Sequence, residues 1–133
     1  MALYIPDVGE RNMLSLLLGS TTWQSRLFQN NFTVGASSVL SSFTQATFTG
    51  YGGSVVLSFG SVSTVGGVAQ ATSSLVSWTL TGGSAQTIYG YYVTDGANTT
   101  LYWGENAPSP ITLSTVGDTI KVQVTFQFST AIP

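Results

Sequence analysis

Full charges are scarce in this 133-residue chain, in which three basic and five acidic residues make up 6% of the sequence. A typical soluble domain carries about 25% charged residues. Hydrophobic segments do not explain the difference, because the apolar runs are only a few residues long and a bilayer span needs about 20 residues. A net charge of −2 exerts no long-range attraction on nucleic acid or on anionic membranes. We therefore expect neither of them as a partner.

Cysteine and histidine are both absent from the chain. Their absence excludes disulfides, thiolate nucleophiles and the usual zinc and haem sites. The five carboxylates are too dispersed along the sequence to form a calcium site. The sequence therefore predicts no cofactor and no metal.

The carboxylate pair that best suits an enzyme is Asp95 and Glu105, which lie near the ends of two predicted strands. If these strands pair across the loop between them, the two acids are about 20 Å apart. Glycoside hydrolysis uses separations of about 5–10 Å. The only lysine, Lys121, lies on the polar side of another predicted strand, where it is solvated rather than placed to activate a hydroxyl. We predict that the protein is not an enzyme.

One short helix precedes a series of strands. Residues 7–19 carry a wide apolar stripe, with Asp7 and Glu10 at the spacing of a capping box and Gly19 at the C-terminal end. From residue 22 onward apolar side chains recur at every second position, and turn residues separate the segments. The predicted strands are residues 22–29, 44–51, 54–59, 68–73, 75–81, 87–94, 99–104, 110–113 and 118–129.

This order of elements predicts an all-β fold, namely an antiparallel, jelly-roll-like β-sandwich with one short N-terminal helix. We expect residues 1–20 to form an N-terminal arm and helix, and residues 21–133 to form a single sandwich domain. The first residues lack the basic region of a secretion signal. We therefore expect synthesis in a cytoplasm.

Two groups of apolar side chains are candidate protein-interface residues. Alternation along strand 87–94 places Tyr89 and Tyr91 on one face, beside Trp103 of the next strand. An open face of this kind would stack on sugar rings, but the low charge favours a face that is buried against another subunit or the N-terminal helix. With the helix included, the candidate interface comprises Leu14, Leu17, Leu18, Tyr89, Tyr91 and Trp103.

The sheet edges give a further argument for assembly. Exposed edge strands are usually guarded by lysine or proline, and this chain has one lysine and four prolines. Pro108 and Pro110, around the short strand 110–113, are expected to blunt one edge. We expect the other edges to be hidden by self-association, at least as a trimer.

Several segments of the chain are distinctive when they are taken together and in order. They are Ile5-Pro6-Asp7-Val8-Gly9-Glu10, Leu16-Leu17-Leu18-Gly19, Gln45-Ala46-Thr47-Phe48-Thr49-Gly50-Tyr51, Ile88-Tyr89-Gly90-Tyr91-Tyr92-Val93-Thr94-Asp95, Leu101-Tyr102-Trp103-Gly104-Glu105 and Gly117-Asp118-Thr119-Ile120-Lys121-Val122. This arrangement, which spans nearly the whole chain, resembles a group of small proteins encoded among the structural genes of tailed bacteriophages. The resemblance implies a virion structural protein that is synthesised in the cytoplasm of a bacterial host. Gly104 stands where a more variable position is expected, so no specific role is carried over to Glu105.

Two roles in a virion are compatible with this resemblance. A capsid decoration (cement) protein bridges major capsid protein subunits on the outer head surface, commonly as a homotrimer. A small tail or fibre component would instead use its sandwich to bind host-surface carbohydrate. The neutral surface and the apolar helix favour the first role. The expected partners are therefore other copies of the chain and the major capsid protein.

Overall fold

The computed structural model describes residues 5–128. Contacts among these residues divide them into two compact units. The helix unit consists of residues 5–21, 58–75 and 123–128, and the sandwich unit consists of residues 22–57 and 76–122. In chain order the elements are α1 (Asp7–Leu18), β1 (Trp23–Phe28), a 3-10 turn (Leu40–Ser42), β2 (Val55–Leu57), β3 (Ser63–Val65), β4 (Val68–Thr72), β5 (Val76–Thr79), β6 (Gln86–Thr94), β7 (Leu101–Leu113), β8 (Thr119–Val122) and β9 (Thr125–Phe128).

The sandwich unit contains two antiparallel sheets. Four strands lie in the order β2-β1-β6-β7, and β5 pairs with β8. Tyr51 links the sheets: its hydroxyl accepts a 3.0 Å hydrogen bond from the backbone N–H of Leu27 in β1, and its ring stacks on Trp78 of β5 with 6.2 Å between centroids. The prediction of an all-β, antiparallel sandwich with a short N-terminal helix is confirmed.

The core of the sandwich unit is aromatic, and part of it comes from a loop. Phe43, which follows the 3-10 turn, stacks on Tyr92 of β6 with 4.6 Å between ring centroids. The same ring meets Phe28 of β1 edge-on at 5.2 Å. Residues outside the regular strands therefore supply much of the apolar surface that stabilises β1 and β6.

One buried charge in the sandwich unit is held by neutral groups. Arg26 is only 6% exposed, and its guanidinium donates hydrogen bonds to the hydroxyl of Thr94 and to the side-chain oxygen of Gln24. The Gln24 oxygen also accepts a hydrogen bond from Ser54. Hydroxyl and amide oxygens thus serve as acceptors for a buried cation in a chain that has few acids.

In the helix unit, α1 packs against the antiparallel sheet β3-β4-β9. The central strand contributes the buried small residues Ala69 and Ala71. The Arg11 side chain of α1 donates a 2.9 Å hydrogen bond to the hydroxyl of Thr64 in β3. Leu14 is fully buried. These contacts fix which side of the helix faces its sheet.

The predicted capping box at the start of the helix is wrong. Pro6 is the N-cap residue, in an extended conformation, and no side chain caps the helix. The backbone N–H of Glu10 donates to the carbonyl of Pro6, and the Glu10 side chain is buried. Because the helix begins at Asp7 itself, the aspartate lies in the first turn and not at the cap.

The long strand predicted for residues 118–129 is also wrong. It is divided into β8, which pairs with β5, and β9, which pairs with β4. At the break the backbone N–H of Val124 donates to the hydroxyl of Ser73, and the Gln123 side chain donates to the Ser73 carbonyl. Alternation continues through both strands, so the periodicity does not reveal the change of partner. Ser129 lies outside the described residues.

Other strand predictions differ in detail. Residues 44–51 form an irregular segment with single bridges at Gln45 and Thr49. Near its end lies Gly50, whose φ of +98° is unfavourable for other residues. Strand β3 was not predicted, and it pairs with β4 across the Gly66-Gly67 turn.

The predicted strands 99–104 and 110–113 are parts of one edge strand, β7. Its pairing with β6 passes from Gly90–Asn106 to Ile88–Ile111, so residues 107–110 form an extended bulge. Pro108 and Pro110 therefore lie inside one strand rather than around a short one. Neither has a backbone N–H to offer at this edge, which limits pairing with a further strand.

Candidate functional site

The exposed side of α1 is apolar. Leu16 is 75% exposed, Val8 58%, Met13 40% and Leu17 37%. We call these four side chains the apolar helix face. At about 100° per residue Val8, Met13 and Leu16 lie about 100° or more from buried Leu14 around the helix, and Leu17 lies about 60° from it.

Such a face is unusual for a helix in contact with water alone. A surface helix normally has charged or polar residues opposite its buried stripe, and a helix that is apolar all round is normally buried. At about 100° per residue the neutral side chain of Asn12 lies within this face, between Val8 and Leu16, and neutral Ser15 borders it. Clustered, exposed large apolar side chains without a full charge among them are typical of a protein–protein contact.

The predicted interface residues of the helix have three different environments. Leu14 has no exposed surface and therefore stabilises the protein's own fold. Leu18 is partly buried, and Leu17 belongs to the apolar helix face. An interface role for Leu17 and Leu18 stays a prediction.

The three predicted aromatic residues are partly buried in the sandwich unit. Tyr89 packs against the cluster of Phe28, Phe43 and Tyr92. Tyr91 donates a 2.9 Å hydrogen bond from its hydroxyl to the Glu105 carboxylate, and Trp103 pairs with Val93 on the same ladder. The two tyrosines thus have different surroundings, and Tyr91 already has a polar partner.

Val8, Met13 and Leu16 were not predicted as interface residues. The width of the apolar stripe in the sequence could have indicated them. Six apolar residues on a 12-residue helix are more than one side of the helix can bury against a sheet. The sequence does not show which of them face the sheet, since that choice depends on the docking of the helix.

Stability is expected to decrease above about pH 10 because of buried tyrosines. Burial raises the pKa of Tyr91 well above its ordinary value; the hydrogen bond to Glu105 and its negative charge raise it further, and a hydrogen bond with Trp103 lowers it. Burial also raises the pKa values of Tyr51 and Tyr92. The fold therefore holds these protons more tightly than the unfolded chain does. Their contribution to stability is complete below the unfolded pKa of about 10 and is lost as the pH rises further.

Urea unfolding at pH 8 and at pH 11 measures this effect, with Tyr91→Phe as the comparison. We expect a lower urea midpoint at pH 11 and a smaller decrease for the variant, which lacks one of the titrating groups. An equal midpoint at both pH values for the unaltered protein would contradict the assignment.

The described part of the chain was searched for membrane-spanning helices and for metal-binding groups, and the sequence and structure were compared with known proteins. Within residues 5–128, no helix is long and apolar enough to cross a membrane. The same residues contain no group of three or more acidic, cysteine or histidine side chains that could hold a metal ion. Comparison of the chain with protein-family models, with curated proteins and with solved structures returned no match.

Proposed function

We propose that the chain is a structural protein of a tailed-bacteriophage virion. Its most specific assignment is a capsid decoration (cement) protein that binds the outside of the head and bridges major capsid protein subunits. The observation that carries this proposal is the apolar helix face, on which Leu16 is 75% exposed. A helix of this kind is suited to permanent burial in an assembly.

The neutral surface supports the same proposal. Cross-strand pairs of threonine hydroxyls bond to each other where many proteins place ion pairs: Thr72 with Thr125 at 3.1 Å, Thr79 with Thr119 at 2.8 Å and Thr87 with Thr112 at 2.8 Å. Such a surface provides no electrostatic steering of a partner. Steering speeds up transient encounters, but a static lattice depends little on it. Self-association, as the homotrimer expected from the sequence, remains part of the proposal.

Incorporation into phage heads tests the proposal with single substitutions. Deleting the N-terminal segment would remove the buried Leu14 together with the exposed residues, so its effect could not be assigned to docking. Leu16→Lys changes only an exposed side chain and is expected to remove most of the protein from purified heads. Val116→Lys, which also replaces an exposed apolar side chain (67% exposed) but in the sandwich unit, is the control and should be incorporated normally.

Two results would contradict this proposal. Normal incorporation of Leu16→Lys would show that the apolar helix face is not the docking surface. Binding of the purified protein to host glycans, together with its absence from heads, would favour the tail or fibre component with a carbohydrate-binding sandwich.

A further inference from the structure

We infer that the linkage between Asp95 and Gly96, in the loop that joins β6 to β7, is a site of spontaneous isoaspartate formation, and that hydrogen bonds from Thr99 and Thr100 slow this reaction in the folded protein. This covalent modification site is independent of the proposed function. Three features of the chain support it: the residue that follows Asp95, the bonds to the Asp95 carboxylate, and the bonds to the peptide group that would react.

The sequence singles out one linkage for this chemistry. Asp95 is the one aspartate or asparagine of the chain that precedes a glycine. Glycine has no side chain to hinder its own backbone nitrogen. The other two aspartates, Asp7 and Asp118, precede valine and threonine, whose branched Cβ atoms crowd the nitrogen. Residues 96–100 are exposed, so water reaches the linkage.

The reaction has two steps. The backbone nitrogen of Gly96 attacks Cγ of the protonated Asp95 carboxyl group; an N–Cγ bond forms, a C–O bond breaks, and the N–H proton leaves with the hydroxyl as water. The product is a five-membered succinimide. Water then opens this ring at either carbonyl: attack at the main-chain carbonyl gives isoaspartate, and attack at Cγ restores aspartate.

The folded protein restrains the carboxylate that must react. Oδ1 of Asp95 accepts hydrogen bonds from the backbone N–H groups of Thr99 and Thr100, at 2.7 and 3.3 Å, and Oδ2 accepts a 2.7 Å bond from the Thr99 hydroxyl. We call these three bonds the Asp95 clamp. The hydroxyl of Thr99, and then its backbone N–H, lower the pKa of Asp95 and so favour the ionised form. Because an ionised carboxyl group is a poor electrophile, the clamp opposes the first step.

The peptide group between Asp95 and Gly96 is restrained as well. Its carbonyl oxygen accepts a 3.1 Å hydrogen bond from the backbone N–H of Asn98 and a 3.0 Å bond from the Thr94 hydroxyl. The attacking nitrogen belongs to this same peptide group, so it cannot turn toward Cγ unless these bonds open. The unfolded chain has neither restraint.

Conversion would alter the turn between the two strands. Isoaspartate adds one methylene group to the main chain between Asp95 and Gly96, and the bonds that now close the loop could not all be kept. The start of β7 follows directly, where Tyr102 meets Trp23 with 4.7 Å between ring centroids. We therefore expect the converted protein to be less stable than the unaltered one.

Incubation at 37 °C and pH 7 tests the site, with isoaspartate at Asp95 measured by mass spectrometry of peptides. The folded full chain is compared with the same chain unfolded in urea. We expect isoaspartate to form at Asp95 in both, and about tenfold or more slowly in the folded protein, since several hydrogen bonds must open first. Equal rates, or no isoaspartate at Asp95 in the unfolded chain, would overturn the inference.

Thr99→Val tests the clamp, because it removes the hydroxyl donor and keeps the backbone N–H. In the folded protein the reaction should become about threefold or more faster, an effect limited by the exposure of the bond. Thr87→Val is the matched control: it removes an exposed hydroxyl of β6, bonded to Thr112 at 2.8 Å, and should leave the rate unchanged. Circular dichroism checks that both variants are folded. A rate for Thr99→Val no higher than that for Thr87→Val would overturn the role of the clamp.

Gly96→Ala tests the linkage without depending on the clamp. A Cβ at Gly96 would lie 3.5 Å from Cβ of Thr22, an ordinary contact, so the fold should be kept. We expect isoaspartate at Asp95 to form several-fold more slowly in the urea-unfolded variant than in the unaltered chain under the same conditions. An unchanged rate would overturn the assignment to this linkage.

Discussion

Replacing Gly90 with alanine is expected to lower the free energy of unfolding by about 3 kcal/mol or more. Gly90 lies in β6 and pairs with Asn106 of β7. A Cβ at this position would lie 2.1 Å from the backbone oxygen of Glu105 and 2.7 Å from Cε1 of Phe28. Since the nearer atom belongs to the main chain, the ladder between β6 and β7 would have to move. Urea denaturation followed by tryptophan fluorescence measures the loss.

Gly35→Ala is the matched control for this substitution. No atom lies within 4 Å of a Cβ built at Gly35, and its backbone conformation is open to other residues. We expect its free energy of unfolding to change by no more than about 0.5 kcal/mol. Equal stability of the two variants would contradict the close approach of β6 and β7.

Leu14→Ala is expected to lower the free energy of unfolding by about 2–5 kcal/mol. Leu14 is among the largest fully buried side chains of the protein, and its truncation removes apolar contacts and leaves a cavity. The comparison is Leu16→Ala, two residues further along the same helix, with a side chain that is 75% exposed. We expect Leu16→Ala to change the free energy of unfolding by no more than about 0.5 kcal/mol.

The two leucines therefore separate folding from docking. Leu14→Ala should be less stable, whereas Leu16→Ala should fold normally and bind its partner less well. Thermal unfolding of both variants at one protein concentration supplies the measurement. A similar loss of stability in both variants would mean that Leu16 belongs to the core. That result would contradict the proposal that the apolar helix face is a docking surface.

The elements that could be predicted from the sequence are those whose apolar residues recur with a fixed period within one short segment. The helix at Asp7–Leu18 and strands such as Trp23–Phe28 were predicted because their apolar residues recur with a fixed period. The division of residues 119–128 between two sheets was not predictable in this way. Apolar and polar residues alternate without interruption through both halves, and the halves differ only in the strands with which they pair. The continuous β7 was not predicted either, because the predicted strands 99–104 and 110–113 are joined by a bulge that interrupts the alternation and contains both prolines.

The candidate site was predictable only in part. The wide stripe on residues 7–19 indicated an interface on the helix, and Leu17, one of the residues predicted for it, is 37% exposed; its role in an interface stays a prediction. Which leucine holds the helix to its sheet depends on the rotation of the helix, which the small residues of β4 and the Arg11–Thr64 hydrogen bond help to set. These contacts join residues that are distant in sequence, and a periodic pattern does not contain them.

The location and copy number of the protein in purified virions test the central claim most directly. Quantitative mass spectrometry gives the ratio to the major capsid protein, and antibody labelling in electron micrographs gives the position. The account predicts many copies per particle, in a fixed ratio to the major capsid protein and on the outside of the head. A few copies confined to the tail would contradict the cement assignment, and absence from the particle would contradict the assignment as a virion structural protein.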